Sequence, residues 1–342
     1  MSLEDIMQES IEIMEKDFYS KPFKFSYSSL NKLMWNPQAF YQMYILGNRE
    51  EKTESYLVNG KVIHALLLEE DKFDEKFLVS PDNLPTGNIR SVVDRVYAHH
   101  VELAKNGDER ILLTDFSDAV LDVLKDINLH QSLKTDQQRI DKMYTAEAMN
   151  YWDFLRAKGN KTLIDQETYD FCKTGVELIK TDKDICNLIG CDINDFSNRE
   201  VFNELQLECN INDRSFGLKG IVDNIVFDHD KKIIYINDVK TTSKELKDFP
   251  ESIEFYNYWL QAAIYNTMVA VKYIHLIDAG YDVKFHFVVI DRNYQVYAFP
   301  VSDETRNTWF TKLTEVLDKA SWHYANKSFD LPYDFALRKV TL

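Results

Sequence analysis

Two aspartates and a lysine are the residues of this chain best placed to do chemistry. Residues 217–240 read as two strands, Gly217 to Phe227 and Ile233 to Lys240, joined by the polar turn Asp228-His229-Asp230-Lys231-Lys232. Side chains alternate along a strand, so Asp238 and Lys240 point to one face. Asp223 sits in the middle of the other strand, among Ile221, Ile225 and Phe227. A carboxylate in an apolar strand is costly unless compensated, and a second one nearby makes it worse. A shared divalent cation, with Lys240 beside it, relieves both. The pattern points to metal-dependent phosphodiester cleavage. An acidic residue two before a lysine also occurs at Glu50/Lys52, Glu70/Lys72, Asp74/Lys76, Asp230/Lys232, Glu245/Lys247 and Asp282/Lys284. Those lie mostly in charged, turn-like surroundings where a solvated ion pair suffices. Only Asp238 ends an apolar run with a partner Asp on the preceding strand; the plain alternative is an edge-strand salt bridge.

Those two strands need a large framework, and 342 residues provide one, with room for one big domain or two. Composition is that of an ordinary soluble protein, 45% hydrophobic and 28% charged. No run approaches the length of a membrane span, and the acidic start Met1-Ser2-Leu3-Glu4-Asp5 lacks the features of a signal peptide. Cys172, Cys186, Cys191 and Cys209 form neither a CxxC pair nor a secreted framework, so reduced thiols in a cytoplasmic protein are expected. The net charge of −16 argues against a generic nucleic-acid coat protein. It leaves a nuclease open, because local charge and bound metal set the field at a site. Between Arg214 and Lys247 seven basic residues oppose five acidic ones, a local excess of +2.

Before the central strands, residues 1–24 hold an amphipathic helix with Leu3, Ile6, Met7, Ile11, Met14 and Phe18 at helical spacing. A short helix follows Ser26 and stops at Asn36-Pro37; a second carries Phe40, Tyr41, Tyr44 and Ile45. Gly60 to Glu69 is a strongly apolar helix containing His64, a core histidine by default or a ligand if the fold brings it to the carboxylates. Residues 89–190 read as wholly helical. From Val201 to Ile211 the odd-numbered residues Val201, Asn203, Leu205, Leu207, Cys209 and Ile211 share one face, a half-buried strand completing a three-strand meander. A helix is expected from Pro250 to about Asp278, with Gln261 and Tyr265 on one face. Strands at Val283–Ile290 and Tyr294–Val301, a helix from Asp303 to about Ala325 and an irregular tail complete the chain. This order describes an α/β fold, a mixed β-sheet flanked by helices, whose ligands gather where neighbouring strands diverge.

The residues, in this order, resemble the PD-(D/E)xK nuclease superfamily, in its RecB-like branch, and most of all the RecE-type (exodeoxyribonuclease VIII-like) phage exonucleases. The stretches that carry the resemblance are Phe25-Ser26-Tyr27-Ser28-Ser29-Leu30 with Asn36-Pro37-Gln38-Ala39-Phe40, then Gly60 to Glu69. Gly220-Ile221-Val222-Asp223, Asp238-Val239-Lys240-Thr241-Thr242 and Gln261-Ala262-Ala263-Ile264-Tyr265 follow. They span about residues 25–290, and 89–190 match only loosely. Val222 stands where the superfamily name has Pro, and the second acid is Asp238 rather than Glu.

The resemblance implies a restriction-endonuclease-like core over 25–88 and 191–301, a large helical insertion over 89–190, and a C-terminal helix and tail over 302–342. It implies Mg²⁺ or Mn²⁺ on Asp223, Asp238, the Val239 carbonyl and His64. Lys240 would activate water and stabilise charge on the phosphorane, and Gln261 and Tyr265 would position the phosphate or the lysine. Glu204 is the favoured acid on the preceding strand, with Glu200 and Glu208 as alternatives. The expected activity is exonucleolytic hydrolysis of DNA ends leaving 5′-phosphates, in phage-type recombination or DNA processing. A single-strand annealing partner and a homo-oligomeric ring are implied with it. No cysteine follows Cys209 and no GxxxxGK[ST] is present, so neither an iron–sulfur cluster nor ATP is expected. The alternatives are an endonuclease or single-strand-specific nuclease on the same fold, or an inactive member that binds DNA or protein.

Overall fold

The computed structural model describes residues 3–48, 55–81, 83–194 and 197–341. The chain divides into two compact units, residues 1–70 with 172–342, and residues 71–171. The eight strands among the described residues are β1 (Lys24–Phe25), β2 (Phe77–Val79), β3 (Thr162–Ile164), β4 (Arg199–Asn210), β5 (Gly217–Asp228), β6 (Ile233–Thr242), β7 (Asp282–Asp291) and β8 (Val296–Val301). In the first unit, β4, β5 and β6 form the expected antiparallel meander, β6 and β7 run parallel, and β8 returns antiparallel along β7. A parallel pair needs a long crossover, and the helical segment between β6 and β7 supplies it. The short β1 joins β5 in parallel at Gly217 and Leu218. The mixed sheet flanked by helices is the architecture expected from the sequence.

The core lies between this sheet and helix Tyr258–Lys272, which buries Trp259 to Tyr265 together with Met268 and Val269. Helices Tyr27–Trp35 and Asp303–Asn326 pack around it, contributing Leu30, Leu33, Trp309, Leu313 and Leu317. The first helix spans Leu3–Ser20. Its Phe18 packs against the core while Met14 is exposed, and the side chains of Leu3, Ile6 and Met7 lie outside the described residues.

Four expectations are corrected. Residues 89–190 are not wholly helical, since β3 pairs with β2 inside the second unit. That unit runs 71–171 rather than 89–190, because the chain beyond Cys172 packs on the sheet: a Cβ added at Gly175 would stand 2.3 Å from Ile290 Cδ1 on β7. The helix expected from Pro250 to Asp278 is three, Phe249–Phe255, Tyr258–Lys272 and Ile274–Asp278. Finally, β4 does not keep one face throughout. Leu205, Leu207 and Cys209 pack into the core, but further along Phe202 meets the core ring Phe227, and Val201 lies against Gly190 on the other side. The alternation slips at Glu204, whose φ of 48° is left-handed, an uncommon state for a residue with a Cβ. On β5 the same slip falls at Asp223: Leu218 and Val222 face the core before it, Ile225 and Phe227 after it.

Beside this slip an asparagine ladder crosses the meander, through the register partners Asn203, Asn224 and Asn237. Asn224 Nδ2 donates to Asn203 Oδ1 (2.8 Å) and Asn237 Nδ2 to Asn224 Oδ1 (2.7 Å). The same amides reach carbonyls at the ends of two helices, Leu68 O from Asn203, Ile189 O from Asn224 and Leu188 O from Asn237. Terminal helix carbonyls lack intrahelical donors, so the ladder ties helices Ser55–Leu68 and Lys183–Ile189 to the strands. Asn224→Ala is expected to cost about 2 kcal/mol, read from urea unfolding, because it strands several buried polar groups at once.

The second unit has its own core of Val92, Val93, Val96, Phe116, Leu124 and Trp152, with Trp152 Nε1 donating to Ile111 O at 2.9 Å. Among the described residues no helix is long and apolar enough to cross a membrane.

Candidate active site

The β5–β6 ladder ends at the pair Asn224 and Asn237. One step further Asp223 and Asp238 would face each other, and there the strands part: β6 continues along β7, β5 along β4 and β1. Asp223 bridges the fork with its side chain, Oδ2 accepting the Val239 N–H at 2.8 Å. Both aspartates are buried, Asp238 completely.

His64 reaches the fork from helix Ser55–Leu68. Its Nδ1 is 3.0 Å from Glu204 Oε1 and its Nε2 3.0 Å from Val239 O, with Asp223 Oδ2 at 3.5 Å. A carboxylate and a carbonyl only accept, so these contacts favour the protonated imidazole. Burial opposes that charge; Asp223 and the hydrogen bond to Glu204 outweigh it and lift the pKa to about 9. Of the three glutamates weighed on β4, Glu204 reaches the fork. Glu200 lies 3.2 Å from His229, and Glu208 2.5 Å from Lys24. The left-handed backbone at Glu204 sits where the strand must turn this side chain, and such strain clusters at functional sites.

Asp238 makes a different contact. Its Oδ2 is 2.5 Å from Lys240 Nζ, and neither carboxylate oxygen has a well-aligned hydrogen bond. Burial pushes the Asp238 carboxyl up to about 7 against the pull of Lys240, with the Asp223 charge adding to the rise. Burial disfavours the Lys240 ammonium, yet Asp238 and Asp223 together hold its pKa above the usual lysine value. Gln261 Nε2 donates to Tyr265 OH at 2.8 Å, and this buried phenol is kept neutral by burial and by the charges of Asp223 and Asp238. Tyr265 packs where β5 carries Gly220: an added Cβ would stand 3.1 Å from Tyr265 Cε1.

Two residues near the lysine were not foreseen as site residues. The ring of Tyr258 lies 5.2 Å from Lys240 Nζ, and Tyr27, close enough to feel Lys240 and Asp238, donates its hydroxyl to Tyr256 O. Tyr258 starts a helix one residue before Trp259 and seven before Tyr265, a spacing that core packing explains equally well. Nothing in its sequence context marks it.

The geometry fits a hard divalent cation. Ligand atoms of His64, Glu204 and Asp223 all lie within 4.8 Å of one another, and the Val239 carbonyl adjoins them through His64. Two converging carboxylates beside a third, Asp238, without a well-aligned hydrogen bond are an oxygen-rich set that calls for positive charge. Asp238 is outside the close group of three.

The model of the PD-(D/E)XK nuclease superfamily matches residues 24–329. The chain belongs to that superfamily. The superfamily's nucleases use divalent metals, in keeping with the donor set at the fork. No curated protein matches the chain. A solved Eubacterium rectale structure, described as a candidate exonuclease, covers 86% of this chain and 80% of its own at 11% identity, with a TM-score of 0.43. Likeness at that level bears on neither activity nor substrate.

Proposed function

We propose that the protein is a divalent-metal-dependent deoxyribonuclease of the RecE-type branch, degrading DNA from its ends to 5′-phosphate products. The observation that carries the reading is the convergence of His64, Glu204 and Asp223 beside the buried Asp238–Lys240 pair, at the point where two strands part. The ordered motifs from Phe25 to Tyr265 favour the branch.

In this reading His64, Glu204, Asp223 and the Val239 carbonyl hold Mg²⁺ or Mn²⁺, and Asp238 adds its charge at the same place. A bound cation would supply Lewis-acid polarisation of the phosphate and make a bound water more acidic. For His64 to act as a ligand its proton must leave, so metal uptake releases a proton. Lys240, held charged by its carboxylates, orients the phosphate oxygen or attacking water and stabilises developing negative charge. The same carboxylates disfavour its use as a proton acceptor. Tyr265, braced by Gln261, backs the fork and helps keep the reacting phosphate in place. Phage-type recombination in the bacterial cytoplasm, a single-strand annealing partner and a ring assembly complete the proposal.

The test compares end-labelled linear duplex with covalently closed circular DNA, in Mg²⁺ and again in EDTA. Linear DNA is expected to be digested from its ends and the circles spared, with all digestion lost in EDTA. Cutting of closed circles overturns the exonuclease assignment; intact linear DNA in Mg²⁺ and Mn²⁺ overturns the nuclease reading itself.

A further inference from the structure

Helices Phe249–Phe255 and Tyr258–Lys272 meet at the joint Tyr256–Asn257. Asn257 adopts a left-handed conformation, φ 57°, and uses both ends of its amide to brace the joint. Its Nδ2 donates to Asn31 Oδ1 (2.9 Å) and its Oδ1 accepts from Trp259 Nε1 (3.0 Å). Tyr27 OH adds a bond to Tyr256 O. This braced joint nevertheless presents two aromatic rings to solvent, Phe255 at 64% and Tyr256 at 46% exposure. The two adjacent rings are free to meet a ligand on a support that does not need them for its own packing.

The rings form a series that leads inward. Phe255 meets Tyr256 edge-on at 4.8 Å, and Tyr256 stacks on Tyr258 at 5.4 Å and 30°. Tyr258 in turn lies 5.2 Å from Lys240 Nζ, which pairs with Asp238. The two carboxylates of helix Phe249–Phe255 are each held by a lysine, Glu251 by Lys244 (3.3 Å) and Glu254 by Lys312 (3.0 Å). Each carboxylate beside the rings is thereby neutralised, which lessens its repulsion of a phosphate backbone. Faces of aromatic rings beside lysines suit nucleobases of any sequence, and only unpaired bases expose a face to stack on.

We propose that Phe255 and Tyr256 are a base-stacking platform that takes the unpaired terminal bases of the strand whose phosphodiester lies at Lys240. The inference rests on the nuclease reading for the identity of its ligand. It has the site hold the end of a duplex with its terminal bases unpaired.

Binding in EDTA separates the platform from catalysis. The probe is a DNA duplex carrying 2-aminopurine in a short unpaired end, with a blunt duplex carrying it at an interior paired position as control. Wild-type protein is expected to quench the unpaired probe and leave the control unchanged. Phe255→Ala and Tyr256→Ala should each weaken that binding about tenfold, while Tyr256→Phe, which keeps the ring, retains it. Because both rings are exposed, melting temperatures matching wild type are expected and certify folding. Equal quenching by wild type and both alanine variants overturns the platform. So does loss of self-association in sedimentation with quenching intact, which would make the rings a protein interface. Ring-dependent quenching without any DNA hydrolysis in Mg²⁺ sinks the nuclease reading and keeps the platform; hydrolysis without ring-dependent quenching does the reverse.

Discussion

Asp223→Asn is expected to lower DNA hydrolysis by about a thousandfold or more while the protein stays folded. The Asp223 carboxylate has two separable tasks. Structurally it accepts the Val239 N–H where the β5–β6 ladder stops, and an asparagine carbonyl oxygen can do the same. Electrostatically it is the buried negative charge nearest His64 and a neighbour of both Asp238 and Lys240. Asparagine keeps the shape and removes the charge. The donors left to a cation would be Glu204, His64 and a carbonyl, with affinity lowered by the missing charge. The check is a pair of measurements on the variant: single-turnover hydrolysis of end-labelled duplex, and Mn²⁺ titration by calorimetry. Hydrolysis within tenfold of wild type would mean that the cation and the reacting phosphate lie elsewhere.

Much of this site was legible in the sequence because its signals are local. Asp238 and Lys240 lie two apart on a strand, and the strand pairing that brings in Asp223 follows from a short turn. Helix Tyr258–Lys272 places Gln261 and Tyr265 on one face by its period alone, and they bond to each other. What stayed hidden depends on backbone states that residue type does not announce. Glutamate is no marker of a left-handed residue, so the slip at Glu204 could not be seen, and strict alternation put Val201 and Leu205 on one face. Asn257 is the milder case, since asparagine enters that region more readily, and it breaks the helix expected to run from Pro250. The asparagine ladder left a usable trace: Asn203, Asn224 and Asn237 sit inside strands, where asparagine is depleted. Three on adjacent strands is a reason to look for a buried polar network.

The Asp238–Lys240 pair yields the second large effect, on stability and activity together. Asp238 is fully buried and the Lys240 side chain 14% exposed, so neither charge has much water to fall back on. Asp238→Asn strands the ammonium and is expected to cost about 3 kcal/mol, the residual attraction of Asp223 keeping the loss at the low end for a broken buried pair. Lys240→Met strands a carboxyl that burial already pushes up to about 7, so protonation near neutrality limits the damage to about 1 kcal/mol. Asp238→Asn combined with Lys240→Met removes both charges and should be more stable than Asp238→Asn alone by about 2 kcal/mol. Urea unfolding in EDTA measures all four proteins without a cation to confuse the comparison. All three variants should lack DNA hydrolysis in Mg²⁺, the double variant included. Recovery of stability without recovery of activity would separate the pair's role in the fold from its role in the chemistry. A double variant as unstable as Asp238→Asn would show that the two charges do not compensate each other.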